Sequence, residues 1–120
     1  MRNLPGYRYP SASMGKAVTT LTAEAFESAI SESAGTWIVD FWADWCAPCH
    51  ALAPVLDEVA AEADTVNVGK VDVTDYPEIG DRFGIKSLPT VVVFRDGVEV
   101  RRLFGTKTKR QLLAAAASGS

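Results

Sequence analysis

The sequence predicts one α/β domain with a central mixed sheet of four to five strands and helices on both faces. The chain has 120 residues, 48% of them hydrophobic, which is enough for one compact core and too few for two. Strand-like and helix-like segments alternate in the order βαβα, which is typical of parallel strands joined by crossover helices. A hairpin and a last helix follow as a ββα ending, and its antiparallel strand makes the predicted sheet mixed.

The two chain ends are predicted to lie outside this domain, which we expect over residues 17–117. Residues 1–16 show no periodic apolar pattern and indicate an irregular N-terminal extension. Met14 is an alternative natural start. A weaker alternative is an organellar transit peptide, because the segment has three basic residues and no acidic one. Residues 118–120, Ser-Gly-Ser, are expected to form a disordered end.

The first elements of the domain follow from caps and apolar spacing. Val18 to Leu21 predicts a short edge strand, and Thr22 is a plausible N-cap for a helix that Gly35 would end. Trp37 to Trp42 is a β-branched and aromatic run that predicts a buried strand. A helix is then predicted over 46–63, with a buried face formed by Leu52, Leu56, Val59 and Ala63.

The second half of the domain begins with a predicted strand from Val66 to Val73. Asp75 is the predicted N-cap of a short helix that has Pro77 in its first turn and stops near Gly84.

The last part is predicted to be a hairpin and a helix. Thr90 to Phe94 strongly favours a strand, and Asp96-Gly97 favours a tight turn into an antiparallel return over Val98 to Phe104. Thr108 with Gln111 three residues later predicts a capping box at the start of the last helix.

The two cysteines predict the chemistry. Cys46 and Cys49 stand two residues apart between a strand and a helix, where unpaired helix N–H groups favour a thiolate on the first sulfur. Cys46 would attack and the more deeply buried Cys49 would resolve. A zinc site needs about four ligands. A c-type haem is the stronger rival, because His50 completes Cys-x-x-Cys-His. A purely structural disulfide would close a ring too small to constrain the chain much.

This segment resembles the active site of the thioredoxin family. The resemblance is carried by residues 45–49, Trp-Cys-Ala-Pro-Cys, and by residues 39–43, Val-Asp-Phe-Trp-Ala, and it extends over roughly 18–117. The family usually has Gly where Ala47 stands and often Lys or Arg where His50 stands. The resemblance implies the thioredoxin fold and a thiol-disulfide oxidoreductase, a protein-disulfide reductase that works through a mixed disulfide.

Two charged residues on predicted strands take roles from the same resemblance. Asp40 would be a buried carboxyl with a raised pKa that moves the proton of Cys49. The alternative is an inward polar residue satisfied by a hydrogen bond. Lys70 would be the ion partner that modulates Asp40, and the alternative is a solvated edge lysine.

The resemblance also implies a substrate-docking surface. Pro89 would form a cis peptide bond facing the disulfide and leave the backbone of Leu88 free to pair with a substrate strand. Trp42 is predicted to be a core aromatic. His50 is either an exposed helix residue or a group that tunes the thiolate. The expected docking residues are Trp45, Ala47, Pro48, Leu88, Pro89, Gly105 and Thr106.

Composition limits the partners. A formal net charge of −3 without a basic stripe argues against nucleic acid, and no apolar run approaches the ~20 residues of a membrane span. We expect no bound cofactor and no metal, because the chain has no Gly-rich phosphate loop and no second Cys/His cluster. Without a secretory signal, a cytoplasmic location is the default.

The family implies specific partners: disulfide-containing proteins as substrates and an NADPH-dependent flavoprotein, thioredoxin reductase, as the electron donor. The chain would then take part in electron transport and cell redox homeostasis, as a monomer. Two alternatives stay open. One is a protein disulfide oxidase or isomerase on the same fold, and the other is a non-catalytic binding module.

Overall fold

The computed structural model of the chain describes residues 17–118, without the side chain of Ser118. The predicted extension over 1–16 and residues 119–120 lie outside the described residues. No helix within 17–118 is long and apolar enough to cross a bilayer.

One five-stranded sheet forms the centre of the domain. Its order is β1-β3-β2-β4-β5, with β1, β3 and β2 parallel and with β4 and β5 antiparallel to their neighbours. The predicted mixed sheet is therefore confirmed, at the upper end of the expected strand number. The strands are β1 (Thr19–Thr20), β2 (Thr36–Trp42), β3 (Val66–Asp72), β4 (Thr90–Arg95) and β5 (Val98–Phe104).

Four helices cover the two faces of this sheet, as predicted. They are α1 (Ala23–Ala29), α2 (Ala47–Glu62), α3 (Pro77–Arg82) and α4 (Lys109–Ser118). Helices α2 and α4 pack on one face, where the buried cluster includes Ile38, Leu52, Leu56, Val68, Val91 and Leu112. Helices α1 and α3 pack on the other, where it includes Phe26, Val39, Phe41, Val71, Ile79 and Phe94.

The alternation along β2 decides which face receives the polar residue of this strand. Ile38 belongs to the α2/α4 core, whereas Val39 and Phe41 belong to the α1/α3 core. Successive side chains of a strand point to opposite faces. Asp40 therefore lies on the same face as Ile38, beneath α2.

The first helix starts where predicted but ends earlier. Oγ1 of Thr22 accepts a hydrogen bond from the N–H of Ala25 at 3.1 Å, which confirms the N-cap. The prediction that Gly35 ends this helix is wrong, because α1 is capped at Ile30. Gly35 has a φ of 76° and lies directly before β2, where its N–H donates to the Asp96 carboxylate at 2.9 Å. The positive φ, which favours glycine, therefore belongs to this contact with the hairpin and not to a helix end.

The predicted N-cap of α3 is also wrong. Tyr76 occupies that position and makes no side-chain capping bond. Pro77 at the start of the helix has no N–H to cap. The local turn is instead held by Asp72, whose carboxylate accepts the N–H of Thr74 at 2.8 Å. Gly84 follows the helix with a φ of 63°, as its predicted stop requires.

The hairpin and the last helix follow the sequence signals. Asp96 and Gly97 both have positive φ, 50° and 87°, which suits a tight turn between β4 and β5. Thr108 and Gln111 form the capping box reciprocally, with N···O distances of 3.1 and 2.9 Å. Helix α4 includes Ser118, one residue beyond the predicted domain end.

Candidate active site: the disulfide at the start of α2

Cys46 and Cys49 form a disulfide at the junction between β2 and α2. The chain leaves β2 at Trp42 and turns, with the N–H of Cys46 donating to the carbonyl of Ala43 at 3.1 Å. Cys46 then caps α2, and Pro48 lies in the first turn of the helix. The Cα atoms of the two cysteines are 5.3 Å apart. The site is thus held by a rigid strand end and a rigid helix start.

The N–H groups at the N-terminus of α2 point towards Cys46. The N–H of Cys49 points to Sγ of Cys46 at 3.3 Å, so this sulfur takes the place of a capping oxygen. Unpaired N–H groups and the helix dipole favour negative charge at this position once the disulfide is reduced. Both cysteines are buried, with 5% of Cys46 and 2% of Cys49 exposed. The expected difference in exposure between them is therefore small in the disulfide form.

Asp40 lies behind the disulfide, beneath α2. Only 3% of the residue is exposed, and Oδ1 has no hydrogen-bond partner within the described part of the chain. Burial raises the pKa of Asp40 from 3.8 to about 7, against the opposing effect of the Lys70 ammonium. At neutral pH, this carboxyl group can therefore exchange a proton.

Lys70 stands beside Asp40 in the sheet. The two residues are register partners on β2 and β3, and β3 is an interior strand because β1 covers its other side. Nζ of Lys70 lies 4.9 Å from the centroid of the Trp42 ring. The half-buried ammonium thus faces the indole while remaining close enough to lower the pKa of Asp40.

A pocket of about 160 Å³ connects these groups. Asp40 and Cys49 lie in its wall together with two exposed side chains of α2, His50 and Asp57. The pocket therefore reaches from the buried carboxyl and the second cysteine to the protein surface. Its remaining lining residues are Val18, Trp42, Ala53, Leu56 and Lys70.

His50 is fixed at the edge of this pocket. Its Nε2 lies 2.6 Å from the main-chain oxygen of Asp44 and 4.0 Å from the carboxylate of the same residue. The imidazole ring meets Trp42 edge to face at 6.0 Å between centroids. The side chain is 55% exposed, so His50 belongs both to the pocket and to the surface.

The loop before β4 faces the disulfide from the other side. The peptide bond between Leu88 and Pro89 is cis, as the resemblance implied. Leu88 packs against the small cluster of Ala43, Cys46 and Cys49. The Pro89 carbonyl accepts the N–H of Gly105 at 2.9 Å, which ties this loop to the end of β5.

The remaining predicted docking residues are exposed or half-buried. Trp45 is 74% exposed, Ala47, Pro48 and Thr106 are exposed, and Gly105 is half-buried with a φ of 79°. Trp42 is half-buried against the disulfide cluster, in agreement with its packing role. Trp45, Ala47 and Pro48 are chain neighbours of the two cysteines, and Gly105 is hydrogen-bonded to the Pro89 loop.

Sequence reasoning missed two residues of this region. Phe104 is 58% exposed and pairs with Thr90, the residue after Pro89. An aromatic residue directly before the predicted docking glycine was the available signal. Asp57 lines the pocket, and its spacing of eight residues from Cys49 on α2 places it on the same helix face.

Comparisons with known proteins place the chain in a family. The family model described as Thioredoxin matches residues 17–118. A thioredoxin of Alicyclobacillus acidocaldarius is 46% identical over 99 residues, which cover 82% of this chain and 93% of the relative. A thioredoxin of Chlamydia caviae is 42% identical over 96 residues, covering 80% and 92%.

Solved structures agree with this placement. A thioredoxin variant from Halobacterium salinarum superposes with a TM-score of 0.80 at 27% identity, covering 90% of this chain and 95% of that one. A thioredoxin of Malassezia sympodialis gives a TM-score of 0.79 at 26% identity, covering 93% and 98%. With a cysteine pair at the active-site position, the chain belongs to the thioredoxin family and is a thiol-disulfide oxidoreductase with a protein-disulfide reductase role.

Proposed function

We propose that Cys46 and Cys49 take different parts in the reduction of protein disulfides. The Cys46 thiolate attacks a substrate disulfide, a new S–S bond forms, and one substrate sulfur leaves with the electron pair. The Cys49 thiolate then attacks Sγ of Cys46 and releases the second substrate sulfur. The observation that carries this assignment is the cap position of Cys46, where the Cys49 N–H points at its sulfur.

Asp40 is proposed as the base that takes the proton of Cys49 before the second attack. Both groups lie in the wall of one pocket, and the pKa of Asp40 is raised to about 7 by burial. A base with such a pKa is half ionised near neutral pH and can both receive and return a proton. Lys70 modulates this base, since its positive charge favours the ionised carboxylate.

The apolar surface around the disulfide is proposed to dock the substrate. Leu88 packs against the cysteines, Trp45 and Pro48 are their chain neighbours, and Gly105 is tied to the Pro89 loop, which supports this set. Ala47, Pro89 and Thr106 complete it. An extended substrate segment would pair with the backbone at Leu88. Burial of exposed apolar surface, above all of Trp45, would supply most of the binding free energy.

The electron donor and the location follow from the family. We propose that an NADPH-dependent flavoprotein, thioredoxin reductase, regenerates the dithiol and that the chain carries electrons as a monomer in the reducing cytoplasm. A reactive pair at a helix start, rather than a set of structural crosslinks, supports such a compartment. We propose no nucleic-acid or membrane partner, in keeping with the net charge of −3.

Two variants test the cysteine roles. With a disulfide-containing protein as substrate, Cys49→Ser should accumulate a mixed disulfide on Cys46, because the second attack is lost. Cys46→Ser should accumulate none. Mass spectrometry of the alkylated mixture identifies the adducts, and accumulation on Cys49 in the Cys46→Ser protein instead would reverse the roles.

The reduction potential distinguishes a reductase from the related oxidase or isomerase. In thiol/disulfide buffers, the fluorescence of Trp42 and Trp45 should report the conversion between the Cys46–Cys49 disulfide and the dithiol. A potential well below the cytosolic glutathione poise of about −220 to −260 mV supports the reductase, and one above it supports the alternative. Full cellular function of the doubly substituted Cys46→Ser, Cys49→Ser protein would instead indicate a binding module.

A further inference from the structure

The described residues offer the proton that Asp40 receives a path to the surface. The carboxyl group is nearly completely buried, Asp40 lies in the wall of the 160 Å³ pocket, and its Oδ1 has no hydrogen-bond partner among the described residues. That volume is enough for several water molecules, and a water needs two to four polar partners, which this lining supplies. A proton can therefore leave Asp40 along hydrogen-bonded solvent in the pocket, provided that a group at its edge takes the proton up.

The hydrogen bond of His50 determines which ring nitrogen can do so. The main-chain oxygen of Asp44 can only accept, so Nε2 of His50 must carry the hydrogen that bridges the 2.6 Å between them. In the neutral imidazole, the lone pair is then on Nδ1. Nε2 also lies 4.0 Å from a carboxylate oxygen of Asp44.

We propose that His50 is a proton-relay residue between Asp40 and solvent. The inference rests on the proposed function, in which Asp40 takes the proton of Cys49. That proton passes from the Asp40 carboxyl through water in the pocket to Nδ1 of His50, and the imidazolium then releases a proton to bulk water or buffer. No electrons move in the relay, and both residues return to their starting charge.

The other charged or titratable groups at the pocket set the background for this role. Lys70 of β3 and Cys49 and Asp57 of α2 lie in the pocket wall, and Asp44 of the loop before the helix lies beside His50. Asp57 is the competing exit, since it is also exposed. Asp57→Asn therefore serves as the matched control, because it removes a titratable group from the pocket edge and leaves the ring of His50 in place.

Two substitutions of His50 separate the relay from a structural role. His50→Gln keeps an amide N–H near the Nε2 position, so the bond to the Asp44 oxygen is retained while the base is lost. His50→Asn is too short to keep that bond and also lacks the base. A relay predicts that both variants are slowed to a similar degree, whereas a structural role predicts a loss in His50→Asn alone.

The measurement is a stopped-flow reaction of the fully reduced chain with an aromatic disulfide whose released thiolate absorbs visible light. The first release reports attack by Cys46, and the second reports resolution by Cys49. About half of the Asp40 carboxyls hold a proton near neutral pH and must pass it on before they can act as a base, so the second release also reports the relay. We expect the rate constant of the second release to fall about 10-fold in both His50 variants at neutral pH in weak buffer, less than the ~10²–10⁴ of a direct acid–base group. Added imidazole should restore it in proportion to its concentration.

The outcomes distinguish this inference from the proposed function. An unchanged second phase in His50→Gln, a loss that imidazole does not restore, or an equal loss in Asp57→Asn overturns the relay. If Asp40→Asn leaves the second phase unchanged, the proposed role of Asp40 itself fails. If Asp40 is the base and His50 is the relay, adding His50→Gln to Asp40→Asn should not lower the rate constant of the second release any further, because both residues act on one route.

Discussion

At the scale of single residues, the site depends on one carboxyl group whose position follows from strand parity. Asp40 alternates with Val39 and Phe41 and so faces the helix that carries the cysteines. The sequence alone predicted an inward Asp in an apolar strand and left open whether a hydrogen bond satisfies it. The structure gives Oδ1 no partner among residues 17–118 and a pKa of about 7 for the group.

This pKa predicts how stability depends on pH. Between pH 4 and 7 the folded oxidised protein keeps a proton on Asp40 that the unfolded chain, with its pKa of 3.8, has released. The free energy of unfolding therefore falls as the pH rises from about 4 to about 7, and the ionisation of Asp40 lowers it no further above that range. Between pH 4 and 8, the free energy of unfolding of Asp40→Asn should therefore increase relative to that of the unsubstituted protein, by up to ~4 kcal/mol. Urea unfolding at several pH values measures the gain, and a difference independent of pH would refute it.

A glycine on β3 provides a second prediction at this scale. A Cβ at Gly69 would lie 2.6 Å from Cδ1 of buried Leu21 and 3.1 Å from the Trp37 ring. Gly69→Ala should therefore lower the free energy of unfolding by about 1–3 kcal/mol through overpacking. Gly80→Ala is the control, since its nearest contact is 3.3 Å and Ala favours helix, so we expect a change within about 1 kcal/mol. Equal losses in both variants would contradict the packing argument.

At the scale of elements, local signals predicted more than contacts made at a distance. The capping box at Thr108 and the turn at Asp96-Gly97 are short-range patterns, and both are confirmed. Gly35 was assigned to a helix end because the sequence cannot show that the hairpin reaches it through Asp96. Asp75 was assigned as a cap because the competing bonds of Asp72 depend on the fold of the preceding turn.

The same limit applies to the candidate site. The Cys-x-x-Cys pattern and the family resemblance predicted the cysteines, Asp40 and the cis bond at Pro89. Phe104 was missed because it reaches the site only through strand pairing with Thr90, which no local pattern encodes. Asp57 has helical spacing to Cys49, but only the packing of α2 over Asp40 makes that helix face the wall of a pocket.

The capping box supplies the prediction for elements. Thr108→Ala removes the acceptor of the Gln111 N–H, 3.1 Å away, at the start of α4. The free energy of unfolding should fall by about 1 kcal/mol. Thr108→Ser keeps the hydroxyl and is expected to retain most of that stability, so chemical denaturation of the two variants side by side gives the contribution of the hydroxyl. A loss of the same size in Thr108→Ser would rule out the cap as its cause.

At the scale of the whole molecule, two cores share one sheet. Strands β2 and β4 contribute alternate side chains to both, so neither core can come apart without disturbing the strands of the other. The chain should therefore unfold as one cooperative unit.

Leu112→Ala tests this coupling from one side. Leu112 is completely buried between α4 and the sheet, and its truncation should cost about 2–5 kcal/mol. Far-ultraviolet circular dichroism and the near-ultraviolet signal, to which Phe26, Phe41 and Phe94 of the α1/α3 core contribute, should still give one transition midpoint. Separate midpoints for the two signals would show that the cores unfold independently.

The strand order also determines where another polypeptide can add to the sheet by backbone pairing. One edge is β1, which is only two residues long, and the other is β5, which carries Glu99, Arg101 and Arg102. Short and charged edge strands discourage a neighbouring chain from extending a sheet, and this protects against edge-to-edge aggregation. If the proposed docking at Leu88 holds, residues 17–118 present their main-chain template for another polypeptide beside the two sulfur atoms rather than at a sheet edge.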